Sequence, residues 1–252
     1  MPKLKSKVGP MSLVSLLREV RKAESETKPL AVAGARELVP ILARELRAGG
    51  DAAAVIEQDV TDAAALIWVG EADEERLRAA DRAKIPIVAV TDAAAMPYVL
   101  ADDLVRVPPG QGFPIDRIAA VLARRLDDEG LALAARLPVL RGAVTERLIA
   151  AASKRNGLIG VAVFVPGVDF PILTFNQLRL VLRIALAHGE GIDRSRAVEL
   201  AGVVGAGFTF RAVARSLLDF IPFAGWAVKG AVAYTGTRAV GEAAVRYFET
   251  FK

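Results

Sequence analysis

From residue 29 to 126 the chain alternates short apolar runs with stretches of helical period. The runs 30–33, 53–56, 65–69, 85–90 and 104–107 are brief and almost continuously apolar, which predicts buried strands. Helical spacing predicts helices over 36–47, 73–83, 94–100 and 114–126. Asp116 near the start of the last of these and Arg124–Arg125 at its end complement a helix dipole. Short buried strands separated by helices predict a small three-layer α/β domain with a parallel sheet covered on both faces. Ahead of it, Leu13, Leu16, Leu17 and Val20 recur at helical spacing opposite Arg18, Arg21 and Lys22. Residues 1–28 therefore read as a basic tail and an amphipathic helix, docked either on its own domain or on a membrane surface or partner.

The pattern changes after residue 127. Residues 128–155 are rich in Ala, Leu and Arg and read as a helical connector; 156–252 read as a compact, apolar, all-α domain. Pro166 and Pro171 fall inside an apolar stretch, and neither suits a helix interior, so they predict a break between two helices. Thr174 followed by Gln177 has capping-box spacing and predicts a helix start there, with Gly189 as its stop just after His188. Ala227, Ala231, Thr235, Ala239 and Ala243 repeat every fourth position, a smooth ridge that predicts close approach of another helix. A membrane span needs about 20 clean apolar residues. The stretch 156–178 holds Asp169 and two prolines, so a tight bundle or a shallow hairpin fits better than a crossing.

Composition adds a location and a kind of partner. The 252 residues include no Cys, which excludes disulfides and fits a reducing, cytoplasmic setting. The basic start has no apolar run behind it, so a secretory signal is not expected. Charge is divided unevenly: residues 1–140 carry 19 Lys and Arg against 21 Asp and Glu, whereas 141–252 carry 14 against 8, a net +6. A basic, apolar C-terminal part favours anionic lipid headgroups. Nucleic acid is not expected, because no Lys/Arg-dense stripe interleaved with aromatics is present.

Chemistry-bearing motifs are few. A phosphate-binding loop needs glycines, a lysine and a hydroxyl after the first strand. Here Gly34 is present, but Val39, Pro40 and Ile41 stand where the second glycine, the lysine and the hydroxyl belong. A backbone nest at Gly34-Ala35-Arg36 is the remaining place for a small anion. No Gly-x-Gly-x-x-Gly follows any strand, and nucleotide is not expected. One His and no Cys exclude a zinc site or a His-based triad; His188 sits where it complements a helix end. Asp169, Asn176 and Gln177 read as turn and capping residues. Arg179 and Arg183, one helical turn apart, make either a solvated face or a contact for phosphate or carboxylate. No catalytic residue, cofactor or metal is expected.

Residues 85–92, Ile-Pro-Ile-Val-Ala-Val-Thr-Asp, resemble the fifth strand of Era-like GTPase domains, which closes on a guanine-reading Asn-Lys-x-Asp. Aligned on Asp92, Ala89 and Val90 replace the Asn and Lys, and residues 104–126 resemble the closing strand and helix with Pro108-Pro109 in place of Ser-Ala. The resemblance covers 29–127 and implies a degenerate G-domain, a pseudo-GTPase. Downstream, Pro166, Asp169, Pro171, Asn176-Gln177-Leu178, Arg183, Gly189, Pro222, Gly225 and Tyr247-Phe248 resemble the YcjF-type C-terminal domain family of unknown function. That resemblance implies a helical, often membrane-associated module behind an Era-like domain. Together they imply a non-catalytic scaffold or regulator, cytoplasmic and peripheral at the inner membrane, with a protein partner or self-association. The alternative is a soluble homo-oligomer or a sensor of a small anionic ligand.

Overall fold

The strands that fill the middle of the sheet are those whose residues have no polar side to show. In the computed structural model, residues 28–108, 110–162, 169–191 and 225–250 are described, together with Arg18, Lys22 and Ser25. β1 (Leu30–Gly34), β3 (Ala65–Val69) and β4 (Ile87–Thr91) lie at the centre, and β2 (Val55–Glu57) and β5 (Leu104–Arg106) are short edges. The order is β2-β1-β3-β4-β5, with every pairing parallel. The α/β sheet expected from the pattern is therefore present, in the doubly wound order 2-1-3-4-5.

Crossover handedness distributes the helices. β2 and β4 lie on opposite sides of the β1–β3 pair, so right-handed connections put α1 (Val39–Leu46) and α2 (Glu74–Arg82) on opposite faces. α1 brings Val39, Leu42 and Leu46 down onto β1 and β2. α2 brings Leu77 and Ala80 over Ala31, Ala33, Leu66, Trp68 and Ala89. Full burial of each Leu contributes about 1.5–3 kcal/mol. α2 is well begun: Asp73 accepts from the Arg76 backbone N–H at 3.1 Å, with Glu74 and Glu75 in the first turn and Arg82 in the last.

The expected helix over 94–100 is absent. Pro97 lacks an N–H, and Tyr98 takes a left-handed φ of 62° that a helix cannot use. The β4–β5 connection instead runs as a loop whose Met96 is buried in the cluster under α2, with Val99 packed against it. After β5, α3 (Ile115–Arg125) packs on β4. Its terminal arginines do more than complement a dipole: Arg124 donates to the Asp102 carbonyl at 2.6 Å, and Arg125 Nε donates to the buried Asp103 carboxylate at 2.7 Å.

Two compact units are present, Ala23–Leu148 with Leu186–Glu190, and Ile149–Ala185 with Met1–Lys22 and Gly191–Lys252. α4 (Asp128–Arg136) and the following turn at Pro138–Leu140 belong to the first unit. Gly50 lies so close that an added Cβ would come within 2.5 Å of the Arg136 carbonyl. Asp51 caps the turn at Ala52–Ala54 and accepts from Arg136 Nε at 2.9 Å.

The helical unit is built from α5 (Arg141–Ala162, from Ile149 onward), α6 (Asp169–Ala187) and α7 (Gly225–Thr250). α5 runs antiparallel to α7: Gly157 meets Tyr234, Gly160 meets Lys229 and Ala233, and Gly241 meets Ile149. The expected break at Pro166 falls in 163–168, outside the described residues, and Pro171 lies within α6 rather than in a break. α6 begins at Asp169, five residues before the expected cap at Thr174, because a proline is tolerated in a first turn. Thr174 and Gln177 are thus interior positions. Gly189 does end the helix, with φ 80° and its N–H on the Leu186 carbonyl. The predicted small ridge is also displaced. Ala231, Thr235, Ala239 and Ala243 are exposed, and Gly230, Ala233, Thr237 and Gly241 form the buried face instead. The expected N-terminal amphipathic helix falls outside the described residues, apart from Arg18, Lys22 and Ser25.

Gly241→Leu should destabilise the helical unit by about 1–3 kcal/mol, since even a Cβ would come within 2.5 Å of Ile149 Cγ1. Ala239→Leu should stay within about 0.5 kcal/mol of the parent; thermal unfolding of the two variants measures both. A second expectation concerns acid. The Ala53 N–H, and then Arg136, hold the Asp51 carboxyl below its ordinary range. Its stabilisation is therefore complete above about pH 4 and is lost as pH falls through the lower folded value. The melting-temperature gap between the parent and Asp51→Asn should accordingly close in acid.

Candidate functional site

In a doubly wound sheet of this order, ligands bind outside the carboxyl ends of the strands, at the switch between β1 and β3. Gly34, Arg36 and Asp92 all lie on that edge: Gly34 ends β1, Arg36 is exposed in the turn after it, and Asp92 is exposed just after β4. Gly34 is required there. Its φ is 125°, and an added Cβ would collide with the Val69 carbonyl of the neighbouring strand. Ala35 N–H donates to that same carbonyl at 2.8 Å.

The turn uses three of its own donors, the Ala35, Leu38 and Val39 N–H groups. Leu38 and Val39 N–H both donate to the Ala35 carbonyl at 3.0 Å, and Pro40 has none to offer. No side chain caps α1, and Leu38 and Ile41 are exposed at 37% and 40% beside the acidic Glu37. A phosphate cradle needs amides and a cation aimed at one point; here Pro40 and the exposed Ile41 stand at the lysine and hydroxyl places.

Two residues that motif reasoning passed over tie the edge together. Gln58, just past β2, has a left-handed φ of 62° and reaches the Gly34 carbonyl through Nε2 at 3.4 Å. Arg76 donates to the Gln58 carbonyl at 2.9 Å and to its Oε1 at 3.1 Å, while its guanidinium lies 5.0 Å from the Trp68 ring centroid. Trp68 Nε1 in turn donates to the Glu71 carbonyl at 2.7 Å. Arg76 therefore holds the β2 exit in place against a covered aromatic face. A side chain set three residues into a helix and aimed at a different strand leaves no local signal in sequence.

The helical unit contains the other concentration of polar chemistry. Thr237 on α7 is fully buried, and its Oγ1 accepts from Asn156 Nδ2 of α5 at 2.9 Å and from Gln177 Nε2 of α6 at 3.0 Å. The same hydroxyl donates to the Ala233 carbonyl at 2.7 Å. Asn176 Nδ2 donates to Asn156 Oδ1 at 2.8 Å. Asn176 and Gln177, expected as caps, are instead two arms of a hub joining three helices. The hub carries a cost, because Ser153 Oγ and Gln177 Oε1 are buried without a hydrogen-bond partner.

The remaining sequence candidates are scattered. Asp169 and Pro171 are the first and third residues of α6, and Gly225 is the first of α7. Arg179 and Arg183 are half-buried one turn apart on α6, and His188 is buried just past its end. Pro166 and Pro222 lie outside the described residues. Among the described residues, no cluster of three or more His, Asp or Glu is arranged for a metal ion, and no helix is long and apolar enough to cross a membrane. No family model, no curated protein and no solved structure matches the chain.

Thr237→Val keeps the shape of the hub but strands two buried amide donors, each costing about 1–3 kcal/mol. The helical unit should melt markedly lower, whereas Thr237→Ser, which keeps the hydroxyl, should recover most of the loss. Thermal circular dichroism of the two variants distinguishes them.

Proposed function

We propose that this chain is a non-catalytic scaffold or regulatory protein. In this reading the α/β unit is a degenerate GTPase-like domain that no longer takes up nucleotide. The helical unit holds the protein peripherally at the cytoplasmic face of a membrane, where it works through contacts with a protein partner or another copy of itself.

One observation carries the first half. The β1–α1 turn spends the Ala35, Leu38 and Val39 amides on backbone carbonyls, has Pro40 in the first turn of the helix, and exposes Leu38 and Ile41. The lysine and the hydroxyl that β- and γ-phosphates and their metal need have no counterpart there. The second half is supported by the net +6 of residues 141–252 and by the wholly uncharged sequence 156–168. Helices joined by small residues and interhelical amide and hydroxyl bonds are also the packing that lipid-facing bundles use.

Labelled GTP should show no saturable binding at micromolar protein, and Asp92→Ala should change nothing. Full-length protein should sediment with vesicles containing an anionic phospholipid and much less with neutral ones, with salt weakening the association. Saturable micromolar GTP binding would overturn the degenerate-domain reading; indifference to lipid charge would overturn the membrane reading.

A further inference from the structure

We propose that one end of the helical unit, made by the last turns of α5 and the first turns of α7, is the surface that enters the interfacial layer of an anionic bilayer. The proposal rests on the membrane reading above and assigns it a face. Leu158 on α5 is 71% exposed, and Val228 and Val232 on α7 are 37% and 39% exposed. They share an end because Gly157 and Gly160 meet residues 229–234 across the α5–α7 contact. Ala231 and Thr235 continue the exposed face of α7. Asn156 and Thr237 of the same turns are buried in the hub while Leu158, Val228 and Val232 stand outside, at those positions the reverse of a helix pair that faces water.

Charge selects the occupant. Lys154 and Arg155 are exposed one turn before Leu158, with Lys154 on the same face at i,i+4. Lys229 adjoins Val228. No acidic residue occurs in 151–162 or in 225–241. A second copy of this end would set the three cations against their own equivalents, which like-charge repulsion penalises. An anionic headgroup layer accepts both parts: the apolar side chains reach the acyl boundary, and the long basic stems snorkel back to the phosphates. With no described helix able to span, the end lies in the interface and does not cross it.

The test uses full-length protein and sedimentation with vesicles of phosphatidylglycerol and phosphatidylcholine. Leu158→Glu and Val232→Glu, both at exposed positions, should each weaken binding by about tenfold or more, with thermal unfolding unchanged. Leu100→Glu, 61% exposed on the α/β unit, should bind as the parent does. If the parent binds and both glutamate variants bind equally well, this end is not the contact surface, although the membrane reading survives. Equal loss in Leu100→Glu overturns the assignment as well. Failure of the parent to bind overturns the membrane reading and the inference with it.

Discussion

A strand buried on both faces has no water to satisfy its backbone, so β1, β3 and β4 must pair with a neighbour on either side and be covered above and below. Much of the α/β unit follows from that demand. The two short edge strands complete the pairing, and α1 and α2 cover opposite faces because their crossovers run in opposite directions. Where no helix follows, loop residues such as Met96 and Val99 close the surface. The close contact of β1 with β3 also explains Gly34: a side chain there would strike the Val69 carbonyl.

The helical unit is held together by different means. Its α5–α7 contact is lined by Gly157, Gly160, Gly230 and Gly241, which let backbones approach, and its centre is a threonine hydroxyl shared by two amides. Small residues supply little burial on their own, so directional bonds fix the register of the three helices. This is specificity obtained at some cost in stability, since two further polar atoms in the same region are buried unpaired.

These two constructions bear on function in the same direction. At the switch-point edge, several groups that could bind an anion are engaged in holding the fold: the Ala35, Leu38 and Val39 amides on carbonyls, and Arg76 on Gln58 and Trp68. In the helical unit, Asn156, Gln177 and Thr237 are buried while Leu158, Val228 and Val232 stand outside beside lysine and arginine. The scaffold reading proposed above rests on these two arrangements.

The strands were legible in sequence because buried parallel strands are short apolar runs, and the missing phosphate-loop chemistry was legible because it is a matter of residue identity at Val39, Pro40 and Ile41. Gly189 was legible as a helix stop for the same local reason. Tertiary structure alone decided the rest. On α7 small residues stand on both the covered and the exposed sides, so a four-residue repeat of alanines does not tell which side is covered; contact with Ile149, Leu180 and Val161 placed Gly230 and Gly241 inside. Pro97 and Tyr98 overrode a helical period over 94–100 through backbone geometry. The hub joins Asn156 to Thr237 across 81 residues and Gln177 to Thr237 across 60, separations at which no local spacing rule applies, so capping residues by pattern became interhelical partners by packing.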